Sequence, residues 1–574
     1  MNIVEMKHKY GNDLIKGIFA NRGVKDIDLF LNPTSDNDTH VFDLPNIMQG
    51  IDLIRDNINK KILLLVDSDA DGYTSAAIMY KTLKFINEDA DIDFFVHRIK
   101  GHGLTNEFMD YVRETEPDLI IITDAGTNDI VEREEICKKG IGLLIIDHHK
   151  EDNYGYTDGV LINNHANYPK NEINKNLTGA GMTFLFCRAL DDLILETGQV
   201  EELKDLAMVG LIGDNASLND NETRFLCMNG INNVQSEMIK HVSYSNGKNE
   251  NDLTFKDMSW GGIIPLINGI TRIGTLEERK TMFKALADID TDRTEIVQKR
   301  KLNKDTRKYE KIDVEMNAYE LAVECAKKCK DRQKKIIDKE TKNCDEQFNS
   351  EAGIQVYIIQ NEDSKGITGL LANKLVDKWQ QPVLCFMDLG DKYLGSLRGY
   401  EKSIPNLKKW CEDTGLFLLV QGHNNAAGIE IIKENLDDLI EETKNVEYTE
   451  FTHYVDKLYN EDVNVNDVFL VDSNKKDLAG LNTPMFGVKN LRITDSNCAW
   501  SKNTLRMFSG GLTYIKFSTP EEEWKSLIEH NGVIDVVGEF DINEWNGKKY
   551  PQFRVKEYEL IKKENKPRDY GIFG

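Results

Sequence analysis

Three short segments carry the residues that could do chemistry. The first is Asp67-Ser-Asp69-Ala-Asp71-Gly72, the second Asp124-Ala-Gly126 and the third Asp147-His148-His149. Carboxylate oxygens mixed with imidazole nitrogens suit hard divalent ions such as Mn²⁺ or Mg²⁺, and no thiolate stands beside them to make a structural zinc site. On a straight strand Asp67, Asp69 and Asp71 would crowd one face. Ala70-Asp71-Gly72 lets the chain turn and aim two of them at different ions. So many ligating groups exceed the needs of one cation, and two ions a few ångströms apart are expected, the usual arrangement for hydrolysing phosphate esters. Taken singly, an Asp at a strand end is most often the cap of the next helix, and an adjacent His pair is weak evidence. The coincidence of all three segments favours the metal reading.

Each segment follows directly on an apolar run of strand length: Lys61 to Val66, Leu119 to Thr123 and Leu143 to Ile146. Unbroken aliphatic runs mark strands buried on both faces. Ser75 to Ile86 and Leu104 to Arg113 have helical spacing, so the succession predicts a parallel doubly wound α/β sheet. Ligands gather at the carboxyl ends of such strands, which would bring the three segments into one crevice. From about Asp290 to Asp345 charged residues dominate, Gly and Pro are absent, and Ile312, Val314, Tyr319, Leu321 and Ala322 fit one helical face. One or two long helices bridging domains are expected there. Strands at 354–359 and 382–386 around a helix at 367–379 make a second, smaller α/β unit. The rest is strand-rich, and Val533 to Phe540 and Pro551 to Tyr558 flank the turn Asn546-Gly547, which suggests a small β-barrel.

In order along the chain, the three segments resemble the first motifs of the DHH phosphoesterase superfamily. Leu177-Thr-Gly-Ala-Gly181 resembles its glycine segment and Val209 to Asp214 its fourth motif. Pro265 to Gly274 resembles the segment ending in Gly-Arg-x-Gly of the RecJ branch, with Thr271 in place of the first glycine. Gly366 to Leu375, Ser396-Leu-Arg398-Gly and Gly422-His423-Asn-Asn-Ala-Ala-Gly428 resemble the DHHA1 domain that accompanies it. The resemblance implies a RecJ-type exonuclease, bacterial or phage-encoded, that degrades single-stranded DNA from 5′ to 3′ into 5′-mononucleotides. It implies Asp69, Asp71, Asp124, His148 and Asp214 as ligands of two Mn²⁺ or Mg²⁺ ions, with Asp124 bridging them and Asp67 ligating or orienting. His149 would face the scissile phosphate, and Asp147 would fix a histidine tautomer. Arg98, Arg272, Ser396 and Arg398 would read the 5′ end, with His423 joining the phosphate grip. The chain departs from the family where Gln421 replaces a glycine before Gly422-His423, at Gly213-Asp214-Asn215, and at Gly101-His102-Gly103, where Gly-Tyr-Gly is usual.

These observations divide the chain into a DHH catalytic domain with an N-terminal extension (1–285), a helical linker (286–347), a DHHA1 domain (348–447) and an OB-like nucleic-acid-binding domain (448–574). The 574 residues carry 72 Lys+Arg against 97 Asp+Glu, a net charge of −25, which by itself opposes a polyanionic partner. Binding to DNA would then be confined to a basic channel. Cys325 to Lys342 has eight basic residues against three acidic, and Phe486 to Phe517 five against one. Aromatics are interleaved in the latter, and Trp500 and Tyr514 are the candidates for stacking on bases. No apolar stretch approaches the ~20 residues of a membrane span, and the nine cysteines are unpatterned, as in reduced proteins. A cytoplasmic monomer is expected, in the host cytoplasm if phage-encoded, with a helicase or single-strand-binding protein as further partners. Two competing readings are a phosphodiesterase of short oligonucleotides or cyclic dinucleotides, whose members are typically shorter, and a non-catalytic replication scaffold, whose hallmark is loss of the carboxylates present here.

Overall fold

The computed structural model describes residues 1–563 apart from 36–38, 152–157, 166–172, 303–306, 308, 360–365, 401, 445, 447, 449–450, 495 and 530–531. The chain forms two compact units, residues 33–448 and residues 1–32 together with 449–574.

In the larger unit β1 (Ile62–Val66), α1 (Ala70–Ile86), β2 (Ile92–Val96), β3 (Leu119–Thr123), β4 (Gly142–Asp147) and β5 (Val160–Asn163) come first. Their strands form an all-parallel sheet in the order β2-β1-β3-β4-β5. Every residue of β1 and β3 is buried, as helices on both faces of a parallel sheet require. The strand order reverses between β1 and β3, so Asp67 and Asp124, which follow them, flank the switch point. Helices α2 (Gly179–Leu190) and α3 (Lys204–Gly213) pack against α1, and α4 (Ile263–Ile273) contacts both α1 and α3.

The expected helical linker is corrected in its first half. Residues Thr294–Leu302 (β6) and Tyr309–Asn317 (β7) pair as an antiparallel hairpin, and the long α-helix begins only after it, Ala318–Asn343 (α5). Ile312 and Val314 are half-buried while Lys311, Asp313 and Glu315 are exposed, a period of two that belongs to a strand. Freedom from Gly and Pro suits a strand as well as a helix.

The second α/β layer contains β8 (Gln355–Ile358), α6 (Thr368–Trp379), β9 (Val383–Asp388), β10 (Lys392–Arg398), α7 (Leu407–Thr414), β11 (Phe417–His423), β12 (Ala426–Ile432) and α8 (Leu436–Glu442), with strand order β11-β12-β10-β9-β8. One face is covered by α7 and α8, whose Leu407, Cys411 and Leu439 pack with Leu397, Ile429 and Ile431. On the other face α6 packs Leu371, Ala372 and Leu375 over Tyr357, Val383 and Cys385, which belong to β8 and β9.

The smaller unit is a seven-stranded mixed sheet in the order 457–460, 486–492, 532–545, 548–563, 512–517, 504–509, 498–501. Residues 1–32 were expected in the catalytic domain and are found here instead. Asn2–Glu5 pairs in parallel with Thr452–Val455, Leu14, Ile18 and Phe19 enter the core with Phe486, Tyr514 and Phe553, and Arg22 forks onto buried Asp456. The apolar side of the helix Leu14–Asn21 is buried in this core. Among the described residues no helix is long and apolar enough to cross a membrane.

Candidate metal centre and substrate cleft

The loop after β1 delivers three carboxylates, each held differently. Asp67 is buried, its Oδ1 accepting the Gly103 amide at 2.9 Å and its Oδ2 lying 2.6 Å from His102 Nδ1. Asp69 caps α1 by accepting the Gly72 amide at 3.0 Å, so the helix-cap role and the cleft position coexist in one residue. Asp71, buried in the first turn of α1, is gripped by the N-terminus of α2 through the Thr178 hydroxyl at 2.8 Å and the Gly179 and Ala180 amides at 2.7 and 3.0 Å. The positive end of that helix favours a carboxylate there.

After β3, Asp124 adopts a left-handed φ of 67°, a conformation non-glycine residues rarely hold without surrounding constraint. Its amide donates to the Ile146 carbonyl at 2.9 Å. A Cβ on Gly179 would stand 2.5 Å from Asp124 Oδ1 and 2.6 Å from its Cγ, so only glycine permits this approach of α2. After β4, His148 turns Nε2 toward three carboxylates, 3.2 Å from Asp124 Oδ1, 3.9 Å from Asp71 Oδ2 and 3.9 Å from Asp214 Oδ2. Asp214 reaches the cluster from the C-terminal end of α3.

Asp147 is saturated by protein donors. Its Oδ1 accepts the His148 and His149 amides and lies 2.8 Å from His149 Nδ1, and its Oδ2 accepts the Thr127 amide and hydroxyl. That hydrogen bond, with the charge of Asp147, raises the half-exposed His149 imidazole to about 9 against the opposing effect of burial. Burial alone would raise Asp147, but the bond and charge of His149 hold it well below the usual carboxylate range.

The other carboxylates carry more charge than the protein neutralises. Burial first, then the charges of Asp71, Asp69 and Asp67, push Asp124 well above its ordinary value. Burial and Asp67 raise Asp69, and burial and Asp71 raise Asp214 to about 6. Asp124 Oδ1 is buried without a hydrogen-bond donor. An orphaned buried oxygen among crowded carboxylates and an imidazole fits a divalent cation. Three groups of ligating atoms each lie close enough to share one: Asp71, His148 and Asp214; Asp67, Asp69 and His102; and Asp124 with Asp147, His148 and His149.

Next to this cluster lies a cationic one. Arg272, in the last turn of α4, and Arg398, at the end of β10, are near enough to repel each other, while Asp69 attracts Arg272. Among the described residues neither has a carboxylate within 4 Å. Ser396 Oγ lies 2.9 Å from the Thr368 hydroxyl at the start of α6, and the place of a Cβ on Gly369 is 2.6 Å from Arg398 Nη2. Lys100 was missed by the sequence reading. Although exposed over much of its length, it ends among Arg272, Asp69, Asp67 and Arg398; burial and Arg272 lower its pKa. Its place two residues beyond Arg98, in the segment that also bears His102, was the only available signal.

Three expectations are corrected. Arg98 is 75% exposed and its guanidinium is engaged by Glu107 at 3.2 Å, whereas Lys100 is the cation of this segment that interacts with Arg272 and Arg398. Tyr514 is fully buried and packs against Phe553 with centroids 5.2 Å apart, so no base can reach it. Trp500 is half-buried, donates Nε1–H to the Thr519 carbonyl at 2.9 Å and stacks on Trp524, roles internal to the domain. His423 is exposed on β11, two strands from Arg398.

The family models that match are the DHH family, N-terminal domain, over residues 61–211 and the RecJ OB domain over residues 479–557. The chain is 31% identical to YorK of Bacillus subtilis (strain 168), an SPbeta prophage-derived protein named as a single-strand DNA-specific exonuclease, over 97% of this chain and 98% of YorK. It is 26% identical to the single-stranded-DNA-specific exonuclease RecJ of the same organism, over 95% of this chain and 67% of that protein. The crystal structure of RecJ in complex with Mn²⁺ from Thermus thermophilus superposes with a TM-score of 0.73 at 19% identity, covering 96% of this chain and 76% of that one. The chain belongs to the RecJ branch of the DHH family.

Proposed function

We propose that this protein is a metal-dependent 5′-to-3′ exonuclease that hydrolyses single-stranded DNA to 5′-mononucleotides. The observation that carries this reading is the adjacency of two clusters of opposite charge, the crowded carboxylates around His148 and the carboxylate-free pair Arg272 and Arg398. The names of YorK and of B. subtilis RecJ, the Mn²⁺ in the Thermus RecJ and the RecJ OB domain support it.

Asp69, Asp71, Asp124, His148 and Asp214 would hold two Mn²⁺ or Mg²⁺ ions, with Asp124 shared and Asp67 steadied by His102 on the Asp69 side. Such an ion pair, when bound, polarises water for attack and offsets charge on the phosphoryl oxygens. The chain's own residues do the rest. Asp71 is fixed by the N-terminus of α2, which pre-sets the position of its carboxylate. Asp147 anchors His149 through Nδ1, leaving Nε2 to face the scissile phosphate and give a proton to the departing 3′ oxygen. Arg272, Arg398, Ser396 and Lys100 grip the 5′-terminal phosphate, where planar guanidinium groups bind in a fork. The protein acts in the cytoplasm as a monomer, on strands opened by a helicase or covered by a single-strand-binding protein.

Purified protein with Mn²⁺ should release a 5′ label from single-stranded DNA early and a 3′ label late, and leave blunt duplex largely intact. Early release of the 3′ label would refute the polarity. Cleavage of dinucleotides alone would favour a small-substrate phosphodiesterase.

A further inference from the structure

The second α/β sheet has one face that is only half covered. Cross-strand register puts Ser396, Gly428 and Gln421 in one row across β10, β12 and β11, with Arg398, Ala426 and His423 in the row on one side and Leu394, Glu430 and Leu419 in the row on the other. All nine lie on the same face, because directly paired residues and those two apart share a side. The opposite face is core, with Tyr393, Leu397, Ala427, Ile429 and Ile431 buried. Helix α6 covers β8 and β9 on the first face and stops at Ser396, leaving Leu394, Leu419, Gln421, His423 and Gly428 exposed.

This ledge begins at the phosphate grip. Gly428 gives it an open floor, since beyond the Gln421 carbonyl at 3.8 Å nothing lies within 4 Å of where its side chain would start. Leu394 and Leu419, 38% and 46% exposed, flank Glu430, itself paired with Lys392, in the row along its edge. Gln421 closes the far side two strands from Ser396, a distance of about 10 Å, comparable to the span of a nucleotide from phosphate to base edge. Its side-chain amide makes no hydrogen bond among the described residues, and it stands where the family resemblance expects glycine.

We infer that Gln421 is a specificity-determining residue that reads the edge of the 5′-terminal nucleobase, laid over Gly428 while its phosphate is held by Ser396 and Arg398. The inference rests on the exonuclease reading, because it needs a phosphate at that pole. A glutamine amide offers one donor edge and one acceptor edge, and adenine can take both through N6 and N7. His423 and the two leucines supply contact without reading an edge.

The test uses the full chain with Mn²⁺ and 5′-phosphorylated oligothymidylates that differ only in their first base, with KM measured for release of that nucleotide. The wild type should favour adenine by about 5-fold or more, a hydrogen-bond-sized effect. Gln421→Gly should compress the spread below about 2-fold, and Gln421→Glu, which keeps acceptors but loses the donor, should reorder the bases. A wild type without preference, or a preference that survives Gln421→Gly, overturns the inference. Failure of the wild type to digest any of these strands overturns the exonuclease reading itself, and the inference with it.

Discussion

Gly179→Ala tests whether the approach of α2 to Asp124 sets the metal geometry. The added methyl would sit 2.5 Å from Asp124 Oδ1 and 2.6 Å from Cγ, so one partner must retreat by about 1 Å to restore ordinary contact. Either movement damages the site. Retreat of α2 withdraws the Gly179 and Ala180 amides from Asp71, and retreat of Asp124 displaces the carboxylate facing His148. Overpacking costs about 1–3 kcal/mol, whereas Gly to Ala within a helix gains up to about 1 kcal/mol. Net stability should therefore fall by no more than about 3 kcal/mol. Activity should fall much further, by about 100-fold, because misplacing catalytic groups by 1 Å has that effect. Gly181→Ala is the control, since its new methyl meets no metal-cluster atom among its nearest neighbours, which are Leu177 and Leu211 Cδ2 at 3.1 Å and Leu177 Cβ at 3.3 Å. Single-turnover release of a 5′ label, Mn²⁺ titration calorimetry and melting in chelator separate the three quantities. A Gly179→Ala protein with wild-type Mn²⁺ affinity and turnover would refute this account of the site.

Arg398→Ala should raise KM for 5′-phosphorylated strands by about 10-fold or more, the size of a charge-assisted hydrogen bond, while Arg98→Ala should change it by less than about 2-fold; equal losses in steady-state assays would restore Arg98 to the grip. Tyr514→Ala should cost about 3–5 kcal/mol in urea unfolding without weakening strand affinity per folded molecule, and normal stability with weak binding would revive it as a stacking residue. Mn²⁺ should raise the melting temperature far more at pH 7.5 than at pH 5. Asp214, whose pKa rises from 3.8 to about 6, and Asp124, raised well above its ordinary value, keep protons in the metal-free fold, which loses stability as pH rises through the range from 3.8 to about 6. The ion must displace those protons, so its increment grows with pH; a pH-independent increment in scanning calorimetry would contradict this.

The parallel sheet was legible because its strands are unbroken aliphatic runs that each end in acid or histidine, a pattern dictated by burial on both faces. The hairpin at 294–317 was not, because Ile312 and Val314 fit a helical face and a strand alternation equally well, and packing decides between them. The N-terminal segment was assigned by sequence proximity, whereas its partner strand lies some 450 residues away in the register Asn2 to Thr452. Tyr514 and Trp500 look like any aromatics among cations, and only their neighbours reveal that the rings are spoken for. Lys100 and Arg98 sit two apart on the same strand exit, and nothing in their identity says which turns inward. Register alone exposed the row joining Ser396 to Gln421.

The pairing of Asn2–Glu5 with Thr452–Val455 also fixes an order of events during synthesis. Leu14, Ile18 and Phe19 are made long before the strand Lys548–Lys563, which supplies Phe553 to the core they join. At about 5–20 residues per second, the wait is on the order of half a minute to two minutes. Until then Leu14, Ile18 and Phe19 lack their native core, while residues 33–448, a compact unit in their own right, are all made before residue 449. The unit of residues 33–448 is thus fully synthesised before the unit that holds residues 1–32. Closure of contacts so distant in sequence should be the slow phase of maturation and the stage most exposed to aggregation.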